Sequence, residues 1–389
     1  MSDDAKSSGF YCPAFDGLRC LLLLSILEFH YGLGRVALEK IWWMSFALPC
    51  FFVLSGYLIS HILYDYRDRM SRGQTLKAFY VRRALRILPA FYAVLLAAHL
   101  VGTVPYLGWQ AAYLFNFKLF ALSNPFHRQA FYEFMGHVDF NGAHLWSMAV
   151  EEQFYLLYPL FVLTMPRRLQ GLLLGVGIAA SAGLRLYLID QHPHTCYGVL
   201  TPVAGEFILW GCLVAWLESQ DRLKNWNPNV CFYAGLAFFA GLVLTQGDIE
   251  NFMFAQWKPP ANMTLFGIAL ALVVFGLRHS PDRWYSRVLT KRPLRAVGKI
   301  AYGAYLLHPF LNPAVDAVLS VVPALAMIPG MPRALLGPVF AVGGAALMWV
   351  SFEGPLNRLR DRVSPLPQNR ASEAEANSGN RSGEPTLRQ

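Results

Sequence analysis

The long apolar blocks of the sequence constrain its fold more than any other feature. Each block runs for about 18–22 residues, the length that an α-helix needs to cross a hydrocarbon core of about 30 Å. Hydrophobic residues make up 55% of the 389 residues and charged residues only 15%, against about 25% in an average soluble protein. This composition excludes a soluble globule and, over most of the length, a disordered chain. The sequence therefore predicts an all-α, polytopic membrane protein.

About ten transmembrane helices are predicted from these blocks. They lie at about 20–38, 41–64, 87–107, 145–165, 169–189, 199–218, 230–247, 262–278, 297–319 and 333–352. Basic residues are concentrated in alternate connections: seven lie within 67–86 and seven within 278–299, whereas 190–198 contains none. The positive-inside rule then places both termini in the cytoplasm. Because these connections account for most of the net charge of +9, no nucleic-acid partner is predicted.

The predicted domain organisation has three parts. Residues 1–17 form a polar, cytoplasmic N-terminal segment, residues 18–357 form the transmembrane domain, and residues 358–389 form a cytoplasmic tail. The tail is predicted to be disordered because it is rich in Ser, Asn, Glu and Arg and has no periodicity. The six cysteines form no metal-binding or disulfide pattern.

Ionisable residues within the apolar blocks are the first functional candidates, because each costs about 2.5–3.5 kcal/mol at a helix centre on insertion scales. Arg19 and His30 lie eleven residues apart, which places them on nearly the same helix face and roughly 16 Å apart along the axis. Glu151 and Glu152 are adjacent, so they cannot share a face. The structural alternatives are a snorkelling arginine with a backbone-bonded histidine, and an interhelical ion pair.

Three arginines stand at the predicted cytoplasmic entrance of the third block. Arg82 and Arg86 share a helix face at i and i+4, and Arg83 lies beside Arg86 at i+3. Forked guanidinium groups at this position suit phosphates or anionic headgroups. Membrane orientation alone would also explain them, so the motif by itself leaves both interpretations open.

The ninth block carries Tyr305 and His308 one turn apart, near its outer half. A tyrosine there is more often an interfacial anchor, whereas a histidine within the membrane is a candidate functional residue. No metal is predicted, because four possible ligands in the outer segment match no familiar spacing. They are His127, His137, Asp139 and His144.

Taken together, six stretches resemble the acyltransferase-3 family of integral membrane acyltransferases, in family order. They are FDGLRCLLLLSILEFH (15–30, with the Arg-x10-His spacing), PCFFVLSGYLIS (49–60), FYVRRALRILPAFY (79–92), HLWSMAVEEQFYLLYP (144–159), IAYGAYLLHPF (300–310) and FEGPL (352–356). The transmembrane domain would then be the acyltransferase domain. Two residues depart from the family pattern: Glu28 stands where an apolar residue is usual, and Ala301 where Ser is common.

The resemblance implies transfer of an acyl group, commonly acetyl, from cytoplasmic acyl-CoA to a hydroxyl of a carbohydrate or glycan acceptor. It also implies a location among the lipids of the bacterial inner (plasma) membrane. Neither the acceptor nor the oligomeric state can be derived from the residues.

The hypothesis assigns roles to three groups of residues. His30 is the general base, and Glu151 or Glu152 orients it, by the logic of a base and its carboxylate. The CoA phosphates would be bound by Arg19, Arg82, Arg83 and Arg86. Contacts to the acceptor or to the oxyanion would come from Ser147, Tyr305 and His308.

Two other functions use similar residues. A secondary transporter would employ an intramembrane His/Glu/Arg site as a proton relay, and it predicts inverted repeats that the sequence does not show. A non-catalytic membrane scaffold would tolerate substitution of Arg19 and His30 without any change of product. The acyltransferase interpretation is preferred over both.

Overall fold

The computed structural model of the protein describes residues 11–31, 46–124, 142–192, 195–246, 262–321 and 331–364. Every regular element within these ranges is helical, which confirms the predicted all-α class for the described residues. The α-helices are α1 (Pro13–Tyr31), α2 (Ala47–Arg69), α3 (Arg72–Leu100), α4 (Leu107–Ala111), α5 (Phe115–Leu122), α6 (Leu145–Thr164), α7 (Arg167–Gln191), α8 (Thr201–Ser219), α9 (Pro228–Gln246), α10 (Asn262–Arg278), α11 (Trp284–Leu289), α12 (Arg292–Lys299), α13 (Ala301–Leu307), α14 (Asn312–Val321), α15 (Met331–Met348) and α16 (Gly354–Val363).

Five of the described helical stretches are long and apolar enough to cross a membrane. They are α2, α3, α7, the 228–245 part of α9, and the continuous stretch 332–360. Helices α1, α6, α8 and α10 lie at four further predicted positions, although α1 is described only as far as Tyr31. The membrane character is therefore supported, and the count of ten spans stays a prediction.

The prediction of a continuous ninth span over 297–319 is wrong, because the chain there is broken. Helix α13 ends at Leu307, a 3-10 turn follows over His308–Leu311, and α14 begins at Asn312. Pro309 explains the break, since it has no N–H and its ring clashes with the carbonyl of the residue four positions earlier, Tyr305. Broken backbone is tolerated at membrane depth only where it is buried in protein or lines a cavity.

Helix α1 is held in the bundle by close backbone contacts at its start. A Cβ atom at Gly17 would lie 2.0 Å from the carbonyl oxygen of Leu289, and one at Gly298 would lie 1.7 Å from that of Asp16. Only glycine permits such an approach of α11 and α12 to α1. This packing fixes the position of Arg19, two residues beyond Gly17.

Arg185 belongs to a structural ion pair. It donates a hydrogen bond to Glu206, and both side chains are 1% exposed. Thr264 joins the pair, since it accepts a bond of 3.0 Å from Arg185 and donates one of 2.5 Å to Glu206. The three residues link α7, α8 and α10 within the bundle.

The last described helix, α16, begins at Gly354 and ends at Val363. Residues 358–363, the first part of the predicted tail, lie within this helix. Helix α16 is amphipathic and packs on α3, which gives residues 358–363 a partner that composition did not indicate. The remainder of the predicted tail, 365–389, lies outside the described residues, as does most of the predicted N-terminal segment, 1–10.

Candidate active site

Three histidine rings meet where the break in the ninth span faces α1 and the start of α6. We call His30, His144 and His308 the histidine cluster. The ring centroids of His30 and His308 lie 4.8 Å apart, and those of His144 and His308 lie 5.0 Å apart. His308 is 0% exposed and His144 6% exposed, whereas His30 is accessible to solvent. The structure thus joins two residues predicted from sequence with a third, His144.

Each ring of the histidine cluster has one nitrogen bonded to a main-chain carbonyl. Nδ1 of His30 lies 2.9 Å from the oxygen of Ile26, and Nδ1 of His308 lies 2.6 Å from that of Tyr305. Nε2 of His144 lies 3.2 Å from the oxygen of Leu306. The carbonyl of Tyr305 is the one that Pro309 deprives of its helical donor, so the break in the helix and the orientation of His308 have one cause.

These bonds determine where the ring protons lie. A carbonyl oxygen only accepts, so each bonded nitrogen carries the hydrogen and the other nitrogen of a neutral ring carries a lone pair. Nε2 of His308 and Nδ1 of His144 are buried and have no hydrogen-bond partner within the part of the chain that the structure describes. Buried polar atoms are normally paired. The histidine cluster therefore offers two acceptors for hydrogen-bond donors of a ligand.

Ser147 and Tyr305 lie together, as the predicted acceptor site requires. Their hydroxyl oxygens are 2.6 Å apart, and both hydroxyls reach the carbonyl oxygen of His144, at 3.1 and 3.0 Å. The two hydroxyl hydrogens thus serve three contacts: one between the hydroxyls and two to this carbonyl. The pair holds the turn that carries His144 into the cluster, and direct contact with an acceptor stays a prediction.

Glu151 lies further along the same face of α6, four residues from Ser147 and four from Tyr155. Its carboxylate lies beside Ser55 and Tyr155, and Arg83 and Arg19 lie within electrostatic range. The Nδ1 atom of His30 contacts the carbonyl of Ile26, and the role of orienting His30, predicted for Glu151 or Glu152, stays a prediction.

Glu152 follows Glu151 on α6. Like Glu151 it lies within electrostatic range of Arg83, and it also lies within range of the Tyr113 hydroxyl, next to α5. Adjacent helix positions are about 100° apart, and separate roles for the two carboxylates stay a prediction.

Three of the four predicted arginines converge, and we call Arg19, Arg83 and Arg86 the arginine cluster. The guanidinium of Arg83 lies over the Tyr155 ring, 3.5 Å from its centroid. Arg19 donates to Asp16 over 3.3 Å. Arg86 is accessible to solvent and lies within electrostatic range of both of these arginines.

Arg82, the fourth predicted arginine, points elsewhere. It donates a hydrogen bond of 2.7 Å to the carbonyl oxygen of Ser364, at the end of α16. This bond links α16, the last described helix, to α3. Spacing along α3 could not separate this role from a role in the arginine cluster, because Arg82 shares a face with Arg86.

Helix α1 carries one member of each cluster, and α6 leads from the histidine cluster toward Arg83 of α3. On α1, His30 and Arg19 are separated by about 16 Å of helix axis. On α6, one face carries His144, Ser147, Glu151 and Tyr155 from the histidine cluster to Arg83. A molecule with phosphates at the arginine cluster and a long arm could thus place a reactive carbon among the imidazoles.

Sequence reasoning missed three residues near these clusters. His144 was considered from sequence only as a possible metal ligand, and nothing local indicates that it contacts His308. Glu353 and Arg360 lie within electrostatic range of Arg86, although their segment was predicted to be the end of a span and a disordered tail. The 3–4 spacing of Leu356, Leu359 and Val363 on α16 was the signal that could have revealed this helix.

A second group of histidines differs in its partners. His61 and His279 each bond the carboxylate of Glu218, over 2.7 and 2.9 Å. The Tyr57 hydroxyl donates to the same carboxylate. Within the described ranges no group of three or more His, Cys, Asp or Glu side chains is arranged to hold a metal ion. Of the four metal ligands considered from sequence, three lie outside the described residues: His127, His137 and Asp139.

Comparisons with known proteins give one consistent class of relatives. A family model described as an acyltransferase domain matches residues 13–352. The peptidoglycan O-acetyltransferase OatA of Listeria monocytogenes is 26% identical over 328 residues, which cover 79% of this chain and 50% of that protein. The O-acetyltransferase OatA of Staphylococcus aureus is 26% identical over 324 residues, covering 77% of this chain and 50% of that protein.

The chain spans about half the length of the curated relatives it matches. No solved structure matches the chain significantly.

Proposed function

The chain belongs to the acyltransferase-3 family, and from this premise we propose that it transfers an acetyl group from cytoplasmic acetyl-CoA to a hydroxyl of a carbohydrate or glycan acceptor. The observation that carries the proposal is that α1 bears His30 of the histidine cluster and Arg19 of the arginine cluster, while Tyr155 of α6 packs against Arg83 of α3. An anionic donor held at the arginine cluster can present a distant thioester to the imidazoles. Acetyl is the group named in the relatives.

The arginine cluster supports a donor with phosphate groups. Guanidinium groups bind phosphate oxygens through paired hydrogen bonds, and a solvent-accessible Arg86 can be reached by a soluble donor. The stacking of Arg83 on Tyr155 and its proximity to Glu151 hold one fork of the cluster in place. In this proposal Glu151 is a positioning residue for the donor site.

His30 supplies the general base. Because its Nδ1 donates to the carbonyl of Ile26, the proton of the attacking hydroxyl goes to Nε2 while the hydroxyl oxygen attacks the thioester carbonyl carbon. The tetrahedral intermediate collapses with cleavage of the carbon–sulfur bond. The imidazolium then returns its proton to the leaving thiolate, which leaves an O-acetyl ester, CoA with a free thiol, and neutral His30.

The two buried lone pairs define the acceptor. Nε2 of His308 and Nδ1 of His144 require donors, and a polyol can give one hydroxyl hydrogen to each while a third hydroxyl faces His30. A carboxylate or an ether oxygen at this place would leave both nitrogens unpaired. Glycans present several hydroxyls on one rigid ring, and peptidoglycan is such an acceptor for the Listeria relative.

We place the enzyme in the bacterial cytoplasmic (inner) membrane with both termini inside the cell. The basic connections within 67–86 and 278–299 support this orientation. The arginine cluster then lies toward the cytoplasm, where acyl-CoA is found, and the histidine cluster lies beyond it. The acceptor would be reached from the outer side.

The proposal is tested with purified wild-type protein, radiolabelled acetyl-CoA and a peptidoglycan-derived glycan strand. We expect His30→Ala to lower base-labile label transfer at least a hundredfold, because general-base catalysis contributes about 10²–10⁴-fold. His99→Ala, at the exposed end of α3, is the matched control and should transfer like wild type. Equal rates in the wild type and the His30→Ala variant would remove His30 from the mechanism, and solute uptake without acyl-CoA would favour a transporter.

A further inference from the structure

Helix α16 lies antiparallel to α3 and closes one side of the arginine cluster. Arg82 bonds the carbonyl of Ser364, and Arg86, one turn further along α3, lies within electrostatic range of Arg360, one turn earlier in α16. The reversed order of these two pairs gives the antiparallel arrangement. Residues 358–363, which composition assigned to a tail, are therefore packed beside residues of the proposed donor site.

The arginines of α16 differ in where they point. Arg360 is half-buried, whereas Arg358 and Arg362 are exposed. The three arginines are spaced two residues apart on α16, so Arg360 faces the bundle while Arg358 and Arg362 face away from it. The inward residue is the one within electrostatic range of Arg86.

Arg86 lies among other guanidinium groups. Those of Arg83, Arg19 and Arg360 are within electrostatic range of it, together with the carboxylate of Glu353. Glu353 is 7% exposed, and its Oε1 has no hydrogen-bond partner among the described residues. Like charges repel each other, and an anion bound among guanidinium groups lowers that repulsion.

We propose that Arg360 completes a ring with Arg19, Arg83 and Arg86 that binds the pyrophosphate of the acyl-CoA donor, so that α16 forms part of the donor site. The inference rests on the proposed function, whose donor it places. Four forked side chains from three helices suit the several oxygens of a pyrophosphate. Along α3, Arg360 lies beside Arg86, one helical turn further from the cytoplasmic end than Arg82. The ring therefore binds the pyrophosphate, and the 3′-phosphate of CoA lies outside the ring.

The test measures binding of CoA to the full-length protein in lipid-free detergent micelles by isothermal titration calorimetry. We expect Arg360→Ala to weaken binding about tenfold or more, because it removes charge-assisted hydrogen bonds of about 1.5–3 kcal/mol. Arg358→Ala and Arg362→Ala, on the same helix, should stay within about twofold of wild type because both side chains are exposed. Inorganic pyrophosphate should displace CoA from the wild-type protein.

A second ligand shows which phosphate group of CoA Arg360 contacts. Dephospho-CoA lacks the 3′-phosphate but keeps the pyrophosphate, so Arg360→Ala should weaken its binding by the same factor as it weakens CoA binding. A weaker effect on dephospho-CoA than on CoA would assign Arg360 to the 3′-phosphate and overturn the inference. Arg360→Lys keeps the charge and should recover part of the lost affinity.

The remaining outcomes separate the inference from the proposed function. Wild-type protein that binds no CoA would remove the proposed donor. Wild-type binding that Arg360→Ala leaves unchanged, in protein with a normal melting temperature, would overturn the inference alone. The inference would also fail if Arg360→Ala and Arg358→Ala weakened CoA binding equally. It would fail as well if Arg360→Ala weakened only the binding of phosphatidylglycerol in nanodiscs, since the arginines would then contact lipid headgroups.

Discussion

Two groups of histidines in this molecule have opposite chemistry. His61 and His279 share the carboxylate of Glu218, whose oxygens also accept from Tyr57. The rings of the histidine cluster instead bond main-chain carbonyls, and two of their nitrogens are buried without a partner. A carboxylate stabilises the charged form of a histidine, whereas a carbonyl fixes one tautomer of the neutral form.

The pairing of donors with acceptors distinguishes structural from functional polar groups within this helical bundle. Around Glu218, donors and acceptors match one another, as they largely do in the pair of Arg185 and Glu206, where only Nε of the arginine is unpartnered. In the histidine cluster each ring has one nitrogen bonded to a carbonyl, whereas the other nitrogens of His144 and His308 have no partner among the described residues. A ligand that brings hydroxyl hydrogens completes the second arrangement and would find no place in the first.

The largest effect is expected from replacing His308 with Asn and with Gln, whose amide groups lie at different distances from the main chain. His308→Asn keeps a donor near Nδ1 for the carbonyl of Tyr305 but removes the lone pair at Nε2, and we expect acetyl transfer to fall about tenfold to a hundredfold. His308→Gln places an amide oxygen near Nε2 and should recover part of the rate. Steady-state transfer with varied acceptor concentration measures both, and the loss should appear in kcat/KM for the acceptor.

Two results would contradict this prediction. His308→Asn with a wild-type rate would show that the lone pair has no role. Equal losses in the Asn and Gln variants, both with wild-type melting temperatures, would show that neither nitrogen's hydrogen bond explains the effect.

A smaller effect is expected at Glu151, which the structure places with Arg83 and Tyr155. Glu151→Gln keeps the size of the side chain but removes the charge opposite Arg83, so we expect roughly a fivefold to tenfold rise in KM for acetyl-CoA. The value of kcat should change little, and kinetics with varied acetyl-CoA measure the split. A fall in kcat as large as that of His30→Ala would restore the sequence-based prediction that Glu151 supports the base.

The smallest effect on transfer is expected in the other histidine group. His61→Gln removes one bond to Glu218 while Tyr57 and His279 keep theirs. Transfer should stay within about twofold of wild type, and the free energy of unfolding should fall by roughly 0.5–1.5 kcal/mol, the value of one hydrogen bond in a partly exposed group. Activity and thermal unfolding are measured on the same sample; a large loss of transfer at unchanged stability would remove the distinction between the groups.

Local periodicity explains which parts of the site could be predicted. The eleven-residue spacing of Arg19 and His30 fixes their common face because both lie on one regular helix, and the structure places one in each cluster. The break at Pro309 was also readable from the residue type, although the apolar composition favoured a continuous span.

Contacts between distant segments could not be predicted. His144 meets His308 only because the start of α6 packs against the 3-10 turn, 164 positions further along the chain. Arg82 and Arg86 share a face, so only the packing of α16 shows that Arg82 bonds Ser364. The polar composition beyond residue 358 concealed a short amphipathic helix, and with it Arg360.

The most direct test of the account is a cryo-electron microscopy structure with a non-hydrolysable acetyl-CoA analogue. We expect the pyrophosphate among Arg19, Arg83 and Arg86, and the acetyl carbonyl carbon in van der Waals contact with the space between His30 and His308. A nucleotide bound elsewhere, or an acetyl group directed away from the imidazoles while the phosphates occupy the arginines, would contradict the proposal that one path joins the two clusters.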